Sequence, residues 1–260
     1  YNYLSAASFV GIYLVSHNIG YQFQELSYFI NTRKSAKSLC DKYQNLLGEK
    51  LTKPTVLKGS VFPIQLERVS VERDGQEILA PCDLTIEEGE KIAIIGESGS
   101  GKTNLLNLIY GEIKPSQGRI HYHGQELNSD ELYQAGAYIL QSSHVFDGLT
   151  LEENVALGQE IDSVRMEEIL QQTGLKALQG KISNNQTLSG GEKQRLEIAR
   201  ALYHNRHFIL ADEVKANLDL KNQEKINQLL FSLPQAIVEV IHHYSDEDLK
   251  RYDKVIELVR

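Results

Sequence analysis

The chain has 260 residues, a formal net charge of −8 and two cysteines, Cys40 and Cys82. That length accommodates one large domain or two small ones with a sizeable core. The acidic balance argues against a general attraction to nucleic acid, and the two cysteines form neither a C-x-x-C pair nor a zinc-type cluster, which suits free thiols in a reducing compartment.

The first residue is Tyr1 and no signal peptide is evident, so the sequence reads as a fragment or a processed chain. Positions 1–24 carry no formal charge apart from a proton on His17, and their apolar residues are interrupted by Asn2, Ser5, Ser8, Ser16 and Asn18. This is too polar for a lone lipid-facing span, which needs about twenty mostly apolar residues. It suits a helix of a bundle or one lining a pathway, with an amphipathic surface helix as the alternative. Over positions 25–50, Leu26, Phe29, Ile30, Leu39, Leu46 and Leu47 fall at wide helical spacing and predict a continuing helix. Residues 51–63, with Pro54 and Gly59, are expected to be a linker.

Residues 64–71 alternate apolar and polar, as a half-buried strand does. Arg73-Asp74-Gly75 reads as a turn, and 77–79 and 84–86 as further short strands of an antiparallel edge. From residue 92 the texture becomes strand–helix alternation, which predicts a mostly parallel sheet and an α/β fold. Its expected strands are 92–95, 138–140, 208–211, 237–241 and 255–259. Residues 142–187 carry helical stretches and no strong strand signal, and are expected to form an inserted helical lobe. No internal repeat is visible.

Behind the apolar run 92–95 stand Gly96, Glu97, Ser98, Gly99, Ser100, Gly101, Lys102 and Thr103, the pattern G-x-x-x-x-G-K-[ST]. A buried strand, a glycine-rich turn and a helix starting at Lys102 are what phosphate binding requires. The backbone N–H groups of the turn cradle phosphates, and the helix N-terminus adds about half a positive charge. Lys102 is suited to the β- and γ-phosphates of a nucleotide such as ATP, and the Thr103 hydroxyl to Mg²⁺. Residues 208–213 read FILADE: an apolar run ends in two acids, Asp212 to bind Mg²⁺ and Glu213 to polarise the water that attacks the γ-phosphate.

Residues 188–195 are LSGGEKQR. Ser189-x-x-Glu192 is a capping box ahead of a helix over 193–203, and Gly190 and Gly191 leave N–H groups uncovered at its start. Here the chain resembles the nucleotide-binding domain of ATP-binding-cassette (ABC) proteins. Phosphate loop, glutamine loop, LSGG signature, apolar-run-DE and a histidine occur in that order across residues 64–260.

The resemblance implies that the signature residues Ser189, Gly190, Gly191 and Glu192 contact the γ-phosphate held by a second ATPase domain, so that hydrolysis requires a dimer. Glu192 stands where the family usually has Gln, a change that the capping box tolerates. Gln141 resembles the glutamine-loop residue, touching Mg²⁺ or the attacking water. Asp219 resembles the acidic residue of the loop crossing the dimer interface, and also reads as the N-cap of a helix over 221–231. In Ile241-His242-His243-Tyr244 one histidine resembles the residue that senses the γ-phosphate, with His242 favoured and His243 the fallback. The aromatic that usually stacks on adenine is replaced by Arg73, or the position is Val71; a guanidinium plane can also stack on a base. After Glu213, Val214-Lys215-Ala216 replaces the usual Pro-Thr-Ser. The stretch between Gln141 and Ser189 is shorter than in exporters of this type, and relatives normally continue past Arg260.

Positions 1–50 resemble the last membrane helix and connecting helix of an ABC exporter. The implied protein carries a membrane domain in the same polypeptide, sits on the cytoplasmic face of the cell membrane and has no nucleic-acid partner. The competing readings are a non-transport ABC ATPase and a catalytically silent partner in a heterodimeric transporter.

Overall fold

The computed structural model describes residues 57, 59–140, 144–146, 148–179, 188–216, 218–242 and 244–259, all in the second of two units into which the chain divides, Pro54–Arg260. The helix expected over 1–50, Cys40, Gln141 and His243 lie outside the described residues.

A three-stranded antiparallel sheet comes first. It consists of β1 (Ile64–Arg73), β2 (Gln76–Ile86) and β4 (Gln117–Tyr122) in the order β2-β1-β4. The β1–β2 connection is Asp74-Gly75, with φ of 53° and 75°. Left-handed conformations at both positions make the two-residue hairpin turn whose twist matches the strands. Arg73 is therefore the last residue of β1, paired with Gln76, and not a turn residue as expected.

The two short strands expected at 77–79 and 84–86 are one strand, β2. Pro81 lies inside it, but β2 is a sheet edge, where a missing N–H need not break the ladder. β4 alternates only over Arg119–Tyr122 and its first three residues are exposed; β1 pairs with it, Leu66 opposite Ile120. Val61 and Phe62, expected in the linker, are buried in the core beneath this sheet.

The second sheet contains β3 (Lys91–Gly96), β5 (Gly136–Ile139), β6 (Phe208–Asp212), β7 (Ala236–Val240) and β8 (Lys254–Leu258). All pairings are parallel, in the order β5-β6-β7-β3-β8. These are the five expected strands, with ends shifted by at most two residues. Because side chains alternate along a strand, each face has its own core. Ile92, Ile94, Phe208, Leu210 and Val238 pack with Leu105, Leu106 and Ile109 of α1 (Lys102–Tyr110). Ile209, Ala211 and Ile237 pack with Ile226, Leu229 and Leu230 of α6 (Leu220–Ser232).

A helix not anticipated from the sequence, α2 (Ser129–Ala135), opens on a capping box formed by Asn128 and Glu131. The described part of 142–187 holds α3 (Leu151–Ala156), α4 (Ser163–Gln172) and a 3₁₀ turn at Lys176–Leu178, with no strand. Their apolar faces share a third core with Leu196, Ala199 and Tyr203 of α5 (Gly190–Tyr203). A one-turn helix, α7 (Asp246–Leu249), precedes β8.

Cys82 is a free, half-buried thiol on β2. Burial, assisted by the Asp83 charge, pushes its pKa up to about 11, so it stays protonated and serves as packing.

Gly136, at the start of β5, lies against the Phe208 ring, which would stand 2.4 Å from a Cβ at that position. Phe208 is fully buried and cannot yield. Gly136→Ala is expected to destabilise the domain by about 1–3 kcal/mol, seen as a lower urea midpoint at unchanged slope.

Candidate active site

The phosphate loop follows from β3. Gly96 ends that strand at φ 144°, with the Leu258 carbonyl oxygen 2.4 Å from where a Cβ would be. Gly101 is the N-cap of α1 at φ 91°, and a Cβ there would lie 2.6 Å from the Ile78 carbonyl oxygen of β2. No side chain therefore fits at either position, and the loop is pressed between the two sheets with its backbone bare. Gly101 provides no side-chain cap and the first turn of α1 carries no acid, so the N–H groups at this helix start remain open to an anion.

Lys102 is 6% exposed, and its Nζ donates to the carbonyl oxygens of Gly96 (2.9 Å) and Glu97 (2.7 Å). The ammonium is thus folded inside the loop. Ser100 Oγ is buried beside it without a hydrogen-bond partner. A buried hydroxyl without a partner, next to a buried cation and open helix N–H groups, fits a phosphate-bearing ligand. Glu97, Ser98 and Gly99 form the exposed outer rim.

The second strand end meets the first. Thr103 Oγ1 donates to Asp212 Oδ2 at 2.9 Å, so α1 and the end of β6 share a hydroxyl–carboxylate pair. Burial raises the Asp212 pKa, and the charge of Glu213 adds to the rise; the Thr103 hydrogen bond opposes it. An oxygen donor set of this kind, a hydroxyl and a partly desolvated carboxylate, fits Mg²⁺. Tyr138 of β5 was not singled out from the sequence. Burial first, then the Asp212 charge, pushes its phenol pKa well above normal, so it adjoins Asp212 as a neutral group.

Glu213 follows with φ 51°, a left-handed conformation rare for a non-glycine residue. Its Oε1 is 2.7 Å from His242 Nε2, and both side chains are 32% exposed. His242, the favoured candidate histidine, thus reaches Glu213. The β6 and β7 ends are paired neighbours, Asp212 opposite Val240, so the next loop residues from each meet across the gap.

The LSGG turn lies at the start of α5, which begins at Gly190, three residues earlier than expected. Ser189 caps it: Oγ accepts from Glu192 N (3.4 Å), while Glu192 Oε2 accepts from Ser189 N and from Ser189 Oγ, both at 2.7 Å. Burial opposes ionisation of Glu192, but these two hydrogen bonds and the charge of Arg195 outweigh it and hold the carboxyl below its usual range. Cβ atoms at Gly190 and Gly191 would stand 3.1 Å from Leu218 and Asn222. The same Asn222 donates its backbone N–H to Asp219 Oδ1 (2.9 Å), and Asp219 is the N-cap of α6. The signature turn and the Asp219 turn thus lean on each other. Arg73 is exposed at the tip of the hairpin whose β2 strand passes Gly101, whereas Val71 packs towards the core.

A phosphate loop, an aspartate joined to its threonine, a glutamate–histidine pair and a separate capped LSGG turn define a P-loop ATPase of the ATP-binding-cassette type. The sequence matches the family described as ABC transporter over residues 79–216, and the chain belongs to that family, whose members are ATPases that power transport.

Similar proteins include the lactococcin-A transport/processing ATP-binding protein LcnC of Lactococcus lactis subsp. lactis, 30% identical over 89% of this chain and 36% of that protein. The lipoprotein-releasing system ATP-binding protein LolD 1 of Chlorobium luteolum is 33% identical over 70% of this chain and 88% of its own length. The chain spans about a third of the length of the lactococcin relative. Among solved structures, a bacterial Atm1-family ABC exporter with ATP bound superposes with a TM-score of 0.69 at 22% identity, over 87% of this chain and 43% of that one.

The Ser189 box has its own stability consequence. Ser189→Ala is expected to cost about 1 kcal/mol at neutral pH, read from urea unfolding without nucleotide. The folded-state pKa of Glu192 is depressed, so its contribution is present above the ordinary carboxylate range and lost as pH falls through the lowered value. The cost of Ser189→Ala should accordingly shrink on acidification.

Proposed function

We propose that this chain is the ATP-hydrolysing domain of an ABC exporter, joined in the same polypeptide to a membrane domain and acting as a dimer on the cytoplasmic face of the cell membrane. The observation that carries the catalytic part is the convergence of Lys102, Thr103–Asp212 and Glu213–His242 at one edge of the parallel sheet. In this reading the N–H groups of residues 96–103 hold the phosphates, and Lys102 exchanges its carbonyl partners for the β- and γ-phosphate oxygens.

Thr103 and Asp212, with Gln141, would hold Mg²⁺, which when bound neutralises phosphate charge. Glu213 accepts the proton of the attacking water, and His242 holds that carboxylate at its post and senses the γ-phosphate. Arg73 stacks on the adenine. Ser189, Gly190, Gly191 and Glu192 of one copy face the nucleotide of the other, and Asp219 lies at the crossing between them. ATP binding closes the pair and hydrolysis reopens it, which switches the membrane domain.

The similarity to LcnC supports the exporter assignment. It extends over more of this chain than positions 64–260 alone provide, so part of the preceding segment takes part in it. A second reading, a cassette that assembles with separate membrane subunits, is favoured by LolD 1, most of whose length is matched. Detergent extraction of the full-length protein separates the two: a cassette without its own membrane domain washes off at high salt.

Glu213→Gln is expected to keep ATP affinity within about threefold while turnover falls about 100-fold or more, with an ATP-dependent dimer accumulating in size-exclusion chromatography. Turnover at the wild-type rate would exclude Glu213 as the base. Arg73→Ala is expected to weaken ATP binding roughly two- to fivefold by calorimetry; unchanged affinity would return Arg73 to a solvated strand end.

A further inference from the structure

β7 reads Ala-Ile-Val-Glu-Val, and all five residues are buried. Glu239 is 1% exposed in the middle of a parallel sheet, where a charge is costly unless it is paired. Its partner is Lys215, whose Nζ lies 2.7 Å from Glu239 Oε1. The same ammonium donates to Asn227 Oδ1 of α6 at 2.7 Å. The other Glu239 oxygen accepts from the Tyr252 hydroxyl at 2.5 Å, and Tyr252 is fixed edge-on against Phe231, ring centroids 4.9 Å apart. A buried carboxylate, an ammonium, an amide and a phenol thus form one linked polar group within the apolar sheet.

Its position relative to the proposed chemistry is specific. Lys215 is two residues beyond Glu213, and Glu239 is three before His242. The loop after β6 is therefore bridged twice to β7 and its exit, by Glu213–His242 past the strand end and by Lys215–Glu239 within the strand. Between the bridges is a cavity of about 150 Å³ lined by both pairs and by Tyr252. The loop carrying Glu213 is anchored in the core by buried Val214, but its residues Glu213, Lys215 and Ala216 border this cavity. Its left-handed backbone at Glu213 needs outside restraint to persist. Two hydrogen bonds and the buried Val214 hold the loop from the α6 side, Gln223 Nε2 donating to the carbonyl oxygens of Lys215 (3.1 Å) and Leu218 (2.9 Å), while across the cavity the contact with β7 is the Lys215–Glu239 ion pair.

We infer that Lys215 is a positioning residue for ATP hydrolysis: its ion pair with buried Glu239 is the strut that holds the Glu213 carboxylate and His242 in register across the cavity. This rests on Glu213 being the general base. The strut touches neither the phosphate loop nor the hairpin near the nucleotide, so it acts on turnover and leaves ATP binding alone.

The test is steady-state ATPase kinetics on the full-length protein, with kcat counted per ATP-binding-competent chain. Four proteins are compared with wild type: Lys215→Met, Lys215→Arg, the apolar double variant Lys215→Met/Glu239→Leu, and Glu213→Gln as control. Lys215→Met leaves a buried carboxylate unpaired and can compromise folding; the double variant removes that charge and keeps the side-chain bulk.

The expected result is a fall in kcat of about tenfold or more in the double variant with KM within twofold, and recovery to within about threefold of wild type in Lys215→Arg. A double variant that binds ATP and turns over at the wild-type rate overturns the inference, as does a loss that disappears once normalised to competent chains. If wild type lacks ATPase activity, or Glu213→Gln matches it, the functional reading falls and the inference with it. If those controls behave and the Lys215 variants match wild type, the strut alone is refuted.

Discussion

Parallel pairing of β3, β7 and β6 as adjacent strands is the constraint on which the site depends. Strands paired in parallel end on the same side, so residues just past their C-terminal ends become neighbours however far apart they are in the chain. Lys102 and Thr103 come from the first of these edges, Asp212 and Glu213 from the third and His242 from the one between. The Thr103–Asp212 hydrogen bond and the Glu213–His242 contact join residues separated by 109 and 29 positions. Each side chain is short, so a register slip of one residue between β6 and β7 would break the second contact and turn the apolar face of β6 over.

A second constraint comes from close approach. Gly96 lies against the Leu258 backbone and Gly101 against Ile78, so the phosphate loop is clamped between the end of the parallel sheet and the antiparallel one. The clamp keeps the loop bare and its N–H groups available. Lys102 then fills the interior, bonded to carbonyl oxygens that would otherwise face each other. The loop is thus held ready for a phosphate before one arrives, which lowers the ordering cost of binding.

Much of this was legible in the sequence because the informative residues announce themselves locally. A glycine-rich turn behind a run such as Ile92–Ile95, the two acids Asp212 and Glu213 closing the run 208–213 and the Ser189/Glu192 box all carry their geometry within a few residues. The parts that escaped are set by partners distant in sequence. β4 becomes a strand beside β1, and the break expected between 79 and 84 is absent because β2, with Pro81 inside it, runs on as an edge strand. Tyr138 gains its role from Asp212 on the neighbouring strand. Glu239 left a signal, an acid inside an apolar run, and Lys215 stood out as a departure after Glu213. Neither could be interpreted until the ion pair between them was visible.

α5 belongs to two cores at once. Leu196, Ala199 and Tyr203 pack with α3 and α4, while Ile198 and Ala201 pack with β6 and α6. With 14 residues it is a rod about 21 Å long, and a continuous helix bends little over that distance. The helical lobe therefore cannot tilt while the LSGG end stays still. A push on α3 or α4 is delivered to Ser189 as rotation of a stiff lever, with the α5–sheet contacts as fulcrum. Displacing the lobe would move the Ser189 turn through this one beam, with no deformation of the sheet.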